Sequence, residues 1–156
     1  MLEIVVVLVI LFIVSAVVIS RYTTAGANEL LVETEALKAN LRYAQIKAMS
    51  DTLQPNNRPR WGVDFPNTTS YTLYRLADDG TKVYVNLPGE VLPSPTRTLY
   101  SGVSINSLAD ATVAFDDWGS PFDGSGNAWT LTKSIILTQG TETSKITITK
   151  NTGFIP

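Results

Sequence analysis

Sixteen consecutive residues, Ile4–Ile19 (IVVVLVILFIVSAVVI), contain a single polar side chain, Ser15. Eleven of them are β-branched, which lowers helix propensity in water. In lipid that preference is overridden, because backbone groups must be satisfied within the segment. With Met1, Leu2 and the Ala25–Ala27 region, the run is long enough for a bilayer core of ~30 Å. After Arg21 the helical period persists but becomes amphipathic. Leu30, Leu37, Leu41, Ala44 and Ala48 form one apolar stripe, and Glu29, Glu33, Lys38, Arg42 and Lys47 fall largely off it. Pro55, Asn56 and Asn57 end the pattern. A continuous helix to about residue 52 would be roughly 75 Å long, more than a domain of this size buries. Its front half is expected to project and to need lipid or other subunits around it.

The remainder reads as short strands. Arg60–Phe65 and Tyr71–Leu76 alternate apolar and polar residues, Asp78-Asp79-Gly80 turns the chain, and Lys82–Asn86 returns, a hairpin pattern. Pro88, Pro93 and Pro95 punctuate a loop. Arg97–Ile105 and Ala111–Phe115 are expected strands, Asp116–Asn127 a loop. Trp129–Leu137 and Lys145–Thr149 are expected to pair around Gln139-Gly140, with a last turn at Asn151-Thr152-Gly153. Seven or so strands suggest two small antiparallel sheets against the Leu30–Ala48 stripe. The expected fold class is α+β: a long N-terminal α-helix, its apolar half projecting, packed on a small antiparallel β-sheet head. The divisions are 1–24 (apolar helix), 25–54 (amphipathic helix on the head) and 55–156 (β head).

Composition narrows the chemistry. The 156 residues include no Cys and no His, which removes thiol nucleophiles, disulfides, the commonest zinc ligands and the usual neutral-pH general base. No nucleophile motif or phosphate-binding loop occurs, so no enzyme and no cofactor is expected. The formal charge of −2 lacks the basic footprint of a nucleic-acid binder.

Glu3 is the informative residue of the apolar segment. A carboxylate near a helix start is favoured by the helix dipole, but burying it in an apolar bundle is costly without a partner. The α-amino group of an adjacent subunit is one such partner; contact with water at a membrane surface is the alternative. A cleaved signal peptide would need a basic start and a small-residue cleavage site, and neither is visible.

The segment MLEIVVVLVILFIVSAVV resembles the N-terminal segment of type IV pilins and type II secretion pseudopilins. In that family a prepilin peptidase cuts after a glycine, the new terminus is N-methylated, and a glutamate follows inside a long apolar run. Glu3 matches that glutamate and Ile4–Ile19 the run. With only two residues before Glu3, the chain is expected to start two residues inside the mature protein, Met1 as the true mature terminus being the alternative. LRYAQIKAMS (Leu41–Ser50) resembles the matching helix of GspH/FimT-type pseudopilins, VAFDDWGSPFDGSGN (Val113–Asn127) their FDxxGxP stretch, and KITITKNTGFIP their closing segment.

The resemblance implies a type IV pilin-like fold and a structural subunit polymerising into a helical filament. Glu3, Ile4, Val5, Leu8, Leu11 and Phe12 would carry assembly. Gly26, between Ala25 and Ala27, reads by itself as a tolerated helical glycine, with a point of helix flexibility on assembly as the functional alternative. Its implied partners are further copies of the chain, other pilins, the assembly machinery, and the inner membrane before assembly. The product is a cell-surface filament or a periplasmic pseudopilus. A minor pseudopilin of a type II secretion system and a minor pilin in DNA uptake are the alternatives. For DNA, only Arg97, Lys133, Lys145 and Lys150 could share a basic face, so nucleic acid is not expected as a partner. Asp116, Asp117 and Asp123 are the candidate Ca²⁺ ligands, but their spacing is not that of an EF-hand loop and suits ordinary turns. No metal is therefore expected. Asn67-Thr68-Thr69 fits an N-glycosylation sequon, a short pattern that arises often by chance. The loops Pro88–Pro95 and Asp116–Asn127 are the expected surfaces for neighbouring subunits.

Overall fold

A computed structural model describes residues 2–51, 61–89, 94–107 and 111–156, with the helical side chains of 4–15 and 28–50. One helical element, α1, is assigned over Leu2–Ser50. Nine strands follow among the described residues: β1 (Trp61–Asn67), β2 (Ser70–Leu76), β3 (Lys82–Tyr84), β4 (Thr96–Thr98), β5 (Val103–Ser107), β6 (Thr112–Phe115), β7 (Pro121–Phe122), β8 (Lys133–Gln139) and β9 (Glu142–Ile148).

The expected architecture is corrected here. Described helical side chains fall into two stretches, 4–15 and 28–50, of 12 and 23 residues. The body is β-rich rather than a small head on a long helix. Packing is the physical reason. Only the second stretch carries an amphipathic stripe, and residues of both sheets cover it.

The first sheet runs β3-β2-β1-β6-β7, with β4 also on β2; the second runs β5-β8-β9. Every pairing is antiparallel. At the centre of the first sheet, Val63 stands opposite both Leu73 and Val113. Trp61, Val63, Phe65, Tyr71 and Leu73 are buried, as are Ile105, Leu137, Ile146 and Ile148 of the second sheet. Both sets meet Leu30, Leu37, Leu41, Ala44 and Ala48, the stripe of α1, in one core. Alternation along the strands and the 3.6-residue period of the helix therefore converge on a single apolar volume.

Gly62 shows how tightly the first sheet is covered. A Cβ there would stand 2.6 Å from the Val113 carbonyl oxygen and 2.7 Å from the Tyr74 hydroxyl. The face it occupies is closed by side chains rather than by helix. Asp64 accepts from Lys82 Nζ at 2.8 and 2.7 Å and from Thr112 Oγ1 at 2.6 Å, while Lys82 lies over the Tyr74 ring. Burial, with the Asp64 charge nearby, pushes the Tyr74 hydroxyl up from its ordinary pKa.

Three strand expectations need adjustment. Arg97–Ile105 is not one strand. It is β4 in the first sheet and β5 in the second, joined through a turn closed by Val103 N–H to the Tyr100 carbonyl. Gly102, at φ 87°, supplies the left-handed residue of that crossing. The second hairpin starts at Lys133 rather than Trp129, because Trp129 instead donates its N–H to the Pro121 carbonyl. Finally, the Asp116–Asn127 loop contains β7, paired with β6.

Candidate assembly surface

Ile4–Val14 presents apolar side chains without cover. Ile4, Val5, Leu8, Leu11 and Phe12 are exposed by 66, 59, 60, 56 and 79%. Ser15, the one hydroxyl of the run, donates to the Leu11 carbonyl at 2.7 Å, so it brings no unpaired polar group to this surface. The Glu3 side chain lies outside the described residues, as do Met1 and the Pro55–Asn57 helix stop, while Gly26 falls within the helical span of α1. Among the described residues, no helix is long and apolar enough to cross a membrane.

The second helical stretch is fixed to the sheets by a series of polar contacts that periodicity alone missed. Glu33 is 1% exposed and holds Arg97 of β4 through Nε–Oε2 at 2.9 Å and Nη2–Oε1 at 3.1 Å. Glu29 accepts from Gln139 of β8, and Asn40 donates to the Tyr71 hydroxyl, both at 2.9 Å. Arg42 donates twice to the Ile155 carbonyl. Gln45 Nε2 donates to the carbonyls of Gly119 and Thr152. Trp61 Nε1 reaches Asp51 beyond the helix end. Glu33, read as off the apolar stripe, is thus inside. The missed signal was an acidic residue adjacent to the stripe together with an arginine in a strand, a pairing that no local pattern links.

The Asp116–Asn127 segment holds two successive side-chain-capped turns. Asp116 Oδ1 accepts from the backbone N–H groups of Trp118 and Ser120 at 3.0 and 2.7 Å. Asp123 Oδ1 does the same for Ser125 and Asn127 at 2.9 and 2.8 Å. These contacts give the FDxxGxP pattern a physical meaning. Asp116 caps the turn, Gly119 takes φ 76° beside Gln45 and Met49, and Pro121 opens β7. Burial pushes the Asp116 carboxyl up, although the Ser120 and Trp118 N–H groups pull against it. Hydrogen bonding, first from the Asn127 N–H, holds Asp123 below the usual carboxylate range. The candidate calcium ligands Asp116 and Asp123 therefore already serve as caps. No group of three or more acidic, His or Cys side chains able to hold a metal occurs among the described residues.

Of the four basic candidates, Arg97 lies in the first sheet on Glu33, Lys133 stacks over the Trp129 ring, Lys145 sits on β9, and Lys150 follows β9 with its backbone N–H donating to the Thr132 hydroxyl. The Asn67 side chain caps the β1–β2 turn, accepting from Thr69 and Ser70. Part of the Pro88–Pro95 loop lies outside the described residues. The body's exposed large apolar groups include Leu31, Val32, Ile46, Met49, Trp118, Leu131 and Phe154. No family model, curated protein or solved structure matches this chain.

Proposed function

We propose that this chain is the structural subunit of a type IV pilus-like filament, self-associating through its apolar N-terminal segment. The observation that carries the reading is the continuous exposure of Ile4–Val14, eleven apolar side chains with no cover from the rest of the chain. Taking such side chains out of water gains about 1.5–3 kcal/mol each. Transfer from a bilayer gains far less, so helix–helix packing has to contribute there. Before assembly the segment's host is the inner membrane; afterwards it is a bundle of like segments in a surface filament. A contact that does not close on itself generates an open helical polymer. The resemblance of MLEIVVVLVILFIVSAVV to the pilin N-terminal segment agrees with this reading. Electron microscopy of filaments purified from cells producing the full chain, with antibody label against the body, tests it. Label along the whole shaft is expected. Filaments that form unchanged from a chain lacking residues 1–19 would refute assembly through this segment.

A further inference from the structure

The segment from Thr149 to Pro156 follows β9 as a strap. It folds back on itself through Gly153 N–H to the Thr149 carbonyl and Thr149 N–H to the Phe154 carbonyl. Two left-handed residues make this possible, Asn151 at φ 67° and Gly153 at φ 61°. What holds the strap is unlike what holds the sheets. Arg42 and Gln45 of α1 grip it by the backbone carbonyls of Ile155 and Thr152, Ser120 donates to the Asn151 carbonyl at 2.6 Å, and the Lys150 N–H donates to the Thr132 hydroxyl just before β8. Ile155 is its buried apolar anchor, while Phe154 on the same strap is exposed. A few hydrogen bonds and one apolar anchor give a low local opening free energy compared with a strand in the core.

Gln45 links this strap to the Asp116 turn, since the same Nε2 also donates to the Gly119 carbonyl. Gly153 is packed directly against Gly119, with no room for a Cβ between them. Strap, turn and helix end therefore meet at one side chain. Trp118 and Phe154, both largely exposed, flank this junction in sequence, next to Gly119 and Gly153.

From this geometry we propose that the Thr149–Pro156 strap is a lock that opens and closes as a unit with the Asp116–Ser120 turn, while β1, β2, β8 and β9 and the buried Ala44 and Ala48 of α1 stay in place. Its closure sets the relative placement of the two exposed aromatic side chains Trp118 and Phe154. Opening frees Arg42 and Gln45 together and leaves β1, β2, β8 and β9 intact.

Native-state hydrogen exchange on the full chain tests the lock. In the unaltered protein the amides of Gly119, Ser120 and Gly153 are expected to exchange as one group, faster than those of β1 and β8. Ile155→Ser should speed that group by roughly fivefold or more, and leave the β1 and β8 amides unchanged. Gln45→Ala combined with Ser120→Ala removes both side-chain links and should uncouple the turn from the strap, so that their rates diverge. Strap amides as protected as β8, or acceleration spread equally over the sheets, would overturn the proposal. Where Ile155→Ser does not fold, the unaltered protein and the Gln45→Ala, Ser120→Ala double variant decide.

Discussion

The Glu33 carboxylate, almost wholly buried on α1, is held by both Nε and Nη2 of Arg97, 64 positions away on β4. The pair ties the helix to the edge of the first sheet, at a point where both partners are removed from bulk water to different degrees. Removing one member of a buried pair leaves an uncompensated charge, a loss of about 3–5 kcal/mol. The partial exposure of Arg97 lowers that figure. Arg97→Met should therefore cost about 2–4 kcal/mol, measured by urea unfolding. Glu33→Met with Arg97→Met should cost less than the single Arg97 change, because no charge is then left buried. A double variant less stable than Arg97→Met would contradict this account.

Two left-handed glycines give a controlled comparison. Gly80 takes φ 85° with open space around its Cβ position, whereas Gly153 takes φ 61° against Gly119 and Gln45. Gly80→Ala should cost only the backbone term, about 1–2 kcal/mol. Gly153→Ala carries that term plus a displacement of neighbouring backbone, and should cost at least about 1–3 kcal/mol more. Equal losses in thermal or urea melts would show that the Gly153 contact is not tight.

Acid should act through Asp116 and Asp123 in opposite senses. Asp123 has a folded pKa below its ordinary value, so its contribution is present above that value and is lost as pH falls through the folded pKa. Asp116 has a raised folded pKa, so its contribution is full below the ordinary value and declines as pH rises through the raised one. Asp123→Asn should weaken the fall in stability below about pH 4. Asp116→Asn, which keeps an acceptor for Trp118 and Ser120, should gain on the unaltered protein as pH rises above about 4. Unfolding curves recorded from pH 3 to 7 check both, and a pH-independent difference for either variant would exclude the assigned cause.

Trp118 and Trp129 should separate surface from core. Trp118 is 76% exposed, while Trp129 is buried under Lys133. Trp118→Ala should change stability by no more than about 0.5 kcal/mol, and Trp129→Ala should cost about 3–5 kcal/mol. Calorimetry on the two variants distinguishes them, and a large loss at Trp118 would place it in a contact within the chain.

Charge in the apolar segment should abolish association without touching the body. Phe12→Lys places an ammonium in a stretch with no acidic side chain between Ile4 and Ile19. Sedimentation should show loss of the assembled species, while the unfolding midpoint of the body is unchanged. Persisting polymers would move the association surface elsewhere.

Much of the body was legible in the order of residues. Leu30, Leu37, Leu41, Ala44 and Ala48 recur at helical spacing, and all five are buried where that spacing places them. The β1–β2–β3 meander was readable because Arg60–Phe65 and Tyr71–Leu76 alternate and Asp79 and Gly80 carry local turn chemistry, with Asp79 accepting from the Thr81 N–H. The apolar run Ile4–Ile19 needs no fold at all to be recognised. Local signals of this kind act over a few residues, so a linear reading captures them.

Tertiary structure alone decided the rest. Whether Glu33 is solvated or buried depends on Arg97, brought near only when β4 joins the first sheet. Arg97–Ile105 reads as one strand because propensity is continuous across it, but the two sheets diverge and the chain must cross between them at Gly102. The expectation of a long helix on a small head failed for the same reason. Helical period is a property of neighbours along the chain. How much of a helix is covered, and by how large a β structure, is set by surfaces that meet only after folding.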